Sequence, residues 1–289
     1  MTKAIGIAGA GRMGTAFAKR LIETGHEVRI WNRSHTRLEE AVAAGAVAST
    51  LPELAACDVI LFSLADGAAS IPVMEQLCAA GLGGRLVIEA STIRPDDAER
   101  LARMAEQAGA DFVHCPVGGT VAPALKGQLL GMAGGGDGAV ERAMPLMQHL
   151  CRRVEKIGTP AAAARMKLAV NMPLAVYWHT LGESLRLLRG AGIDPELAIS
   201  LIADSSAGPA VLKNRASVVV ETLRGTDRQG TFDLAGLAKD LRLAVEELAS
   251  HGAPPALAMT ALRTYESVLT PQNAGFDGAT LSRLIAEAD

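Results

Sequence analysis

The chain has 289 residues, of which 49% are hydrophobic and 20% charged, and a formal net charge of −3. This near-neutral charge argues against a protein that binds nucleic acid through phosphate contacts, since such proteins carry a basic patch or stripe. The four cysteines form no Cys-x-x-Cys pair, which argues against a zinc site and against a disulfide framework. No apolar run of about 18 residues is available for a membrane span, and no signal-peptide pattern opens the chain. The expected compartment is therefore the cytoplasm.

The first 160 residues alternate short apolar runs with amphipathic stretches. This alternation is typical of βαβ units and predicts an α/β domain with a doubly wound parallel sheet. The predicted strands are Ala4–Ala8, Glu27–Trp31, Val59–Ser63, Leu86–Glu89, Asp111–His114, Leu129–Ala133 and Arg153–Ile157. The predicted helices between them include Met13–Thr24, Thr36–Ala44 and Pro95–Ala108.

After residue 160 the pattern becomes helical throughout. The nearly unbroken stretch Ala161–Leu188 predicts a helix about 40 Å long, which is long enough to connect two domains. Further helices are predicted at Pro195–Asp204, Ala210–Leu223, Leu234–Ser250 and Pro255–Leu269. The sequence thus predicts two domains, 1–160 with the parallel sheet and 161–289 all-helical, joined by the long helix.

A glycine-rich loop follows the first predicted strand and opens the first helix, with the sequence Gly9-Ala10-Gly11-Arg12-Met13-Gly14. In a G-x-G-x-x-G loop the first glycine permits a tight turn, the second lets the backbone approach a pyrophosphate, and the third allows close helix–strand packing. The helix N-terminus offers N–H groups and a partial positive charge to the anion. This context predicts a Rossmann domain whose cofactor contacts Gly9, Gly11, Arg12, Met13 and Gly14. The alternative is a glycine-rich turn in another α/β fold.

The end of the second predicted strand selects the cofactor. An NAD enzyme places Asp or Glu there to bond the ribose 2′-OH. This chain instead has Asn32, Arg33 and Ser34, with Arg37 one turn later. Arginines and a hydroxyl suit a 2′-phosphate, so the sequence predicts NADPH in preference to NADH, bound by these four residues. The alternative is that the arginines are ordinary solvated residues.

Loops at the carboxyl ends of the next strands are expected to line the ligand crevice. Leu64 and Ala65 follow one strand, and Ser91 and Thr92 follow the next. We expect these residues at the cofactor, although Ser91 and Thr92 could equally turn or cap the helix that begins at Pro95.

Several segments together resemble the β-hydroxyacid dehydrogenase family, which includes 3-hydroxyisobutyrate dehydrogenases, tartronate semialdehyde reductases and glyoxylate/succinic semialdehyde reductases. The matching segments occur in family order: Gly9–Gly14, Trp31–Ser34, Ser91–Pro95, Cys115–Gly119, Arg165–Leu168 with Asn171, Phe232 and Lys239–Leu241. The resemblance implies hydride transfer between NAD(P)H and a β-hydroxyacid or its aldehyde. It also implies a helical second domain that commonly helps to form dimers or tetramers.

The resemblance places the general acid/base lysine at Lys167, the asparagine that orients substrate at Asn171, and a further lysine near the cofactor or substrate at Lys239. Lys167 and Asn171 are four residues apart, so a helix puts both side chains on one face, where they could converge on a carbonyl oxygen. An ammonium group there would supply both a proton and electrostatic stabilisation. The alternative for Lys167 is a solvated helix lysine.

Two positions depart from the family pattern. Gly118 replaces the serine that helps to hold the substrate carboxylate, and Val170 stands where many relatives have a second asparagine. The backbone N–H groups of Gly118, Gly119 and Thr120 could still bind an anion as a nest.

The sequence therefore predicts an NADPH-dependent oxidoreductase. Its predicted substrate is a small aldehyde or oxo acid of the semialdehyde, glyoxylate or tartronate semialdehyde class. Its expected partners are this small molecule and further copies of the chain as a homodimer or homotetramer, with no nucleic acid, membrane or metal. Two alternatives stay open. An imine reductase of related fold often lacks the acid-binding serine, although it usually replaces the family lysine with Asp or Tyr. A non-catalytic NADPH-binding module would bind the cofactor without consuming it.

Overall fold

A computed structural model describes residues 4–252 and 254–288 of the chain. The chain divides into two compact units, of which one ends at Lys167 and the other begins at Leu168. The first unit combines a sheet with helices, and the second is helical apart from two isolated β-bridges among its described residues. The predicted fold class, an α/β sheet domain followed by an all-helical part, is confirmed.

The sheet of the first unit has nine strands among the described residues. They are β1 (Ile5–Ala8), β2 (Val28–Trp31), β3 (Val47–Ala48), β4 (Val59–Phe62), β5 (Leu86–Glu89), β6 (Asp111–His114), β7 (Val117–Gly118), β8 (Leu129–Gly135) and β9 (Cys151–Gly158). Their order is β3-β2-β1-β4-β5-β6-β8-β7, with β9 paired to β8. The chain therefore runs outward from β1 in one direction and from β4 in the other, and ligands bind at such a reversal.

The sheet is parallel from β3 to β6 but not throughout. β8 runs antiparallel to both β6 and β7, while β9 is again parallel to β8. The predicted doubly wound parallel sheet is confirmed, and β8 departs from it at this edge. Between β6 and β8 the chain forms only the two-residue β7 and the five-residue helix Val121–Leu125. This helix is too short to run the length of a strand and return the chain for a parallel pairing.

Seven helices lie entirely within the described residues of the first unit. They are α1 (Arg12–Glu23), α2 (Glu39–Ala43), α3 (Leu51–Ala55), α4 (Gly67–Ala80), α5 (Pro95–Gln107), α6 (Val121–Leu125) and α7 (Asp137–Leu150). A 3-10 turn at His35–Leu38 precedes α2, so the predicted helix Thr36–Ala44 is divided in two. The helices α3, α4 and α6 were not among those predicted.

The long helix α8 spans Pro160–Arg186, and its 27 residues correspond to about 40 Å, as predicted. It is followed by α9 (Pro195–Asp204), α10 (Ala210–Leu223), α11 (Leu234–Ser250), α12 (Ala256–Val268) and α13 (Ala279–Glu287). No helix within the described ranges is both long and apolar enough to cross a membrane.

Alternate residues of the strands supply two apolar cores in the first unit. Ile7 of β1 packs in one core with Phe17 of α1, whereas Ala8 packs in the other with Met74 of α4. This division follows from the alternation of side chains along a strand, and it explains why helices cover both faces of the sheet. The second unit has its own core, in which the buried Tyr265 hydroxyl donates to the Ala175 carbonyl at 3.1 Å.

Candidate active site

The glycine loop lies between the end of β1 and the start of α1, where two of its glycines are required by the fold. A Cβ on Gly9, which has φ +113°, would lie 2.1 Å from the Ser63 carbonyl oxygen. A Cβ on Gly14 would lie 2.0 Å from the Gly9 carbonyl oxygen. Gly11 differs, because its φ is −74° and a Cβ there would meet nothing within 4 Å. The protein itself leaves the backbone of Gly11 open to a ligand.

Hydrogen bonds connect this loop to the end of β2. The Ala10 N–H donates to Asn32 Oδ1 at 3.0 Å, and the Gly9 N–H donates to the Trp31 carbonyl at 2.8 Å. The first turn of α1 contains no acidic residue, and its N-cap residue, Gly11, has no side chain. This helix end therefore has neither a side-chain cap nor a negative charge in its first turn, which suits the binding of a pyrophosphate. Arg12 and Met13 occupy the same turn.

The arginines predicted to select the cofactor follow β2 on the surface. Arg33, Ser34 and Arg37 are all exposed, and neither arginine forms an ion pair with another described residue. The Ser34 hydroxyl is hydrogen-bonded to the Thr36 hydroxyl at 3.0 Å. Two exposed cations without a counter-charge among the described residues, in the segment that follows Asn32, fit a dinucleotide that carries an additional phosphate.

The loops after β4 and β5 are joined through Ser91, which is almost fully buried. Its Oγ accepts a hydrogen bond from the Leu64 N–H at 2.8 Å. Neither Ser91 nor Thr92 caps α5, whose N-cap residue is Arg94. Ser91 holds the two loops together, and Ala65 and Thr92 lie beside these contacts in the chain.

The predicted anion segment, residues 118–120, follows β6 and includes the end of β7. Gly119 has φ +122°, and a Cβ there would lie 2.6 Å from Leu129 Cδ2, so the fold requires this glycine. Gly118 has no positive φ, and a Cβ there would make ordinary contacts at 3.6 Å or more. The fold therefore does not require glycine at position 118. Thr120 precedes α6 without capping it through its side chain.

Lys167 lies on α8 and is only 7% exposed, an unusual state for a lysine. The preceding residues Arg165 and Met166 are exposed, so burial is a property of this position and not of the whole turn. Asn171, one turn later, is also buried, with 6% exposure. The structure therefore places both predicted catalytic side chains on a buried face of one helix.

The second unit contains a buried carboxylate that the sequence analysis did not assign. Asp240 of α11 accepts a hydrogen bond from Asn171 Nδ2 at 2.6 Å, and Lys239 Nζ lies 2.7 Å from its other oxygen. The second contact is an ion pair. A carboxylate can only accept hydrogen bonds, so Asp240 holds the NH2 group of the Asn171 side chain toward itself. The Asn171 Oδ1 atom therefore points away from Asp240. Only its position beside Lys239 could have indicated this role from the sequence.

Two other chemistries find no support in the described part of the chain. No group of three His, Cys, Asp or Glu side chains there is arranged to hold a metal ion. Burial raises the pKa of the Cys115 thiol, and it raises the pKa of Cys151 to about 12. Neither thiol is a thiolate nucleophile at neutral pH.

Two family models match this chain. The NAD binding domain of 6-phosphogluconate dehydrogenase matches residues 4–158, and the NAD-binding region of NADP-dependent 3-hydroxyisobutyrate dehydrogenase matches residues 161–285. The chain belongs to the β-hydroxyacid dehydrogenase family. As a member of this family it is an NAD(P)-dependent dehydrogenase or reductase that acts on CH–OH groups.

Individual relatives agree with this assignment over most of their length. The chain is 28% identical to glyoxylate/succinic semialdehyde reductase 2 of Arabidopsis thaliana, covering 90% of this chain and 74% of that protein. It is also 28% identical to the NAD-dependent L-serine dehydrogenase of Pseudomonas aeruginosa, over 98% and 97% of the two chains. The solved structure of Mycobacterium tuberculosis 3-hydroxyisobutyrate dehydrogenase with L-serine superposes with a TM-score of 0.87 at 25% identity and covers both chains completely.

Proposed function

We propose that this β-hydroxyacid dehydrogenase reduces a small aldehyde or oxo acid to the hydroxy acid, with NADPH as its preferred cofactor. The observation that carries the proposal is the buried amine of Lys167, one turn before Asn171 on α8. The semialdehyde, glyoxylate and tartronate semialdehyde class of substrate is supported by the similarity to the Arabidopsis reductase. The cytoplasmic location and a homodimeric or homotetrameric assembly remain predictions.

In this mechanism the chain supplies a proton, an orientation and a charge. When bound, the reduced cofactor supplies the hydride for the carbonyl carbon. Lys167, as an ammonium, donates a proton to the carbonyl oxygen as negative charge develops there, and later regains a proton from solvent. Asn171, whose amide is oriented by Asp240, hydrogen-bonds the substrate. The backbone of residues 118–120 holds the acid group of the substrate, and Lys239 lies near the cofactor or substrate.

The initial test measures cofactor oxidation by the wild-type protein with small oxo acids, semialdehydes and cyclic imines, using NADPH and NADH in parallel. We expect turnover of at least one oxo acid or semialdehyde and a higher kcat/KM with NADPH. Turnover of imines alone would contradict the proposed reaction. Tight NADPH binding without turnover of any compound would indicate a binding module.

The exposed arginines after β2 give a prediction about cofactor choice. The double variant Arg33→Ala/Arg37→Ala is expected to raise KM for NADPH by roughly tenfold or more, because it removes two charge-assisted contacts to the 2′-phosphate. KM for NADH should change little, since NADH has no such phosphate. Arg29→Ala is the matched control, because Arg29 is also an exposed arginine of β2 but is not at its carboxyl end. An equal rise in KM for both cofactors would contradict the assignment.

Gly118 gives a prediction about substrate choice. Gly118→Ser should fold with wild-type stability or slightly more, because the backbone accepts any residue there and a Cβ meets only ordinary contacts. A hydroxyl at this position should raise kcat/KM several-fold for short substrates with a carboxylate. Gly119→Ser, at φ +122°, is the contrasting variant and should be destabilised. Thermal melts and kcat/KM ratios across the panel measure both effects, and an unchanged substrate profile in Gly118→Ser would remove position 118 from the substrate site.

A further inference from the structure

Two ionisable side chains are completely buried at the carboxyl ends of neighbouring strands in the first unit. Glu89 ends β5 and His114 ends β6, and both have zero exposure. The two residues are partners in the parallel ladder, so their side chains leave the same face of the sheet. Neither side chain is used in the proposed binding of the cofactor or in the proton transfer from Lys167.

The two side chains hold the backbone of Ser91 from both sides. Glu89 Oε1 accepts a hydrogen bond from the Ser91 N–H at 2.7 Å, and His114 Nε2 lies 3.1 Å from the Ser91 carbonyl oxygen. The other ring nitrogen, Nδ1, lies 3.1 Å from the carbonyl oxygen of Pro160, the first residue of α8. His114 therefore stands between the loop after β5 and the first turn of the helix that carries Lys167.

The partners of His114 constrain its protonation state. A carbonyl oxygen only accepts, and a neutral imidazole has a single N–H, so one of the two contacts would set a nitrogen lone pair against an oxygen lone pair. Burial has the largest effect and lowers the pKa of His114 overall, and the Glu89 carboxylate and the two carbonyl contacts oppose this shift. The contacts themselves favour the charged ring, because both partners can only accept a hydrogen bond. Glu89 Oε2 has no hydrogen-bond partner among the described residues, and a buried carboxylate without a counter-charge is costly. A protonated ring can donate to both carbonyls, and it places a positive charge in the same buried region as the Glu89 carboxylate.

We propose that His114 is a positioning residue: as an imidazolium, with Glu89 as its counter-charge, it joins the Ser91 carbonyl to the Pro160 carbonyl. This bridge fixes the first turn of α8, two turns before Lys167, against the loop after β5. Only the consequence for catalysis rests on the proposed function, because the bridge itself is defined by contacts within the first unit.

The protonation state is tested on the wild-type protein by NMR of 15N-labelled histidine. The signals of His114, one of six histidines, are assigned by their loss in His114→Asn. We expect protons on both ring nitrogens at neutral pH, in slow exchange with solvent because the side chain is buried. A ring with a single N–H at neutral pH would overturn the proposal, and this result does not depend on any substrate.

The positioning role is tested by kinetics of His114→Phe, which keeps a ring but removes both donors. We expect kcat to fall about 10- to 100-fold with KM for NADPH nearly unchanged, because a small misplacement of a catalytic group has effects of this size. His114→Gln, which retains an amide donor for one carbonyl, should recover part of the loss.

The matched control is Val113→Ala, because Val113 is equally buried on the same strand but points to the opposite face. This variant loses core packing and therefore stability, but it should retain kcat when assayed below its melting temperature. Full kcat in His114→Phe, or an equal loss in Val113→Ala, would overturn the positioning role. If the wild-type protein reduces no carbonyl compound, the proposed function fails, while the NMR result still decides whether the bridge exists.

Discussion

Replacement of Lys167 by alanine is expected to lower kcat for carbonyl reduction by at least ~100-fold, the scale of general-acid catalysis. The methyl group of alanine cannot donate a proton, so no donor remains at that position. Because Lys167 is 7% exposed, solvent has little access to act as a donor in its place. NADPH affinity should stay within about threefold of wild type, because Lys167 belongs to neither the glycine loop nor the arginine segment. Steady-state rates and a fluorescence titration of NADPH separate the two quantities.

Three further measurements distinguish proton transfer from other effects of this substitution. Lys167→Arg keeps the positive charge but remains protonated at neutral pH, so it should stay nearly as slow as the alanine variant. Added primary amines should restore part of the activity of Lys167→Ala. Met166→Ala, a change at the exposed neighbouring position, should keep the wild-type kcat. A Lys167→Ala protein as fast as wild type would remove the lysine from its role.

Alanine at Gly11 is expected to weaken NADPH binding by roughly tenfold or more without changing the stability of the protein. A Cβ at this position meets no protein atom within 4 Å, and its backbone angles suit any residue, so the apo fold has no need of glycine there. The methyl group would occupy the space through which the backbone approaches a pyrophosphate. Titration with NADPH and thermal melts of the apoprotein measure the two expectations together.

Gly14→Ala is the companion variant. Unlike Gly11→Ala, it is expected to destabilise the apoprotein as well as to weaken NADPH binding. A Cβ there would lie 2.0 Å from the Gly9 carbonyl oxygen, so the loop or the start of α1 must shift even before a cofactor binds. We expect a lower melting temperature of the apoprotein in addition to weaker NADPH binding. If Gly11→Ala bound NADPH as wild type does, the dinucleotide would not pass over this loop.

Much of the fold could be predicted because the hydrophobic pattern is local. The strands β5 and β6 and the helices α9, α10 and α11 have the predicted bounds, since each is an apolar or amphipathic run closed by Gly, Pro or polar residues. Helix α4 was missed because its apolar residues do not favour one face and it contains Pro72. The direction of β8 was also missed, because a two-residue alternation is the same in parallel and antiparallel strands.

The residues of the candidate site likewise divide into those with a local sequence pattern and those brought together only by the fold. The glycine loop, the arginines after β2, and the spacing of Lys167 and Asn171 depend on residues near one another in the chain, and these could be named from the sequence. Asp240 lies 69 residues from the asparagine that it orients. Such a pair becomes visible only when the fold brings two helices together, because neither position has a local pattern that indicates the other.

The hydrogen bonds around the glycine loop have a consequence for the thermodynamics of cofactor binding. The loop is already held by Asn32 and by the end of β2, and the loops after β4 and β5 are already joined through Ser91. Few backbone torsions then remain to be restricted when a dinucleotide arrives, so the loss of conformational entropy on association is small. Calorimetry of NADPH binding should accordingly show a heat-capacity change no larger than that from the surface area in direct contact, without the additional contribution of a segment that folds on binding.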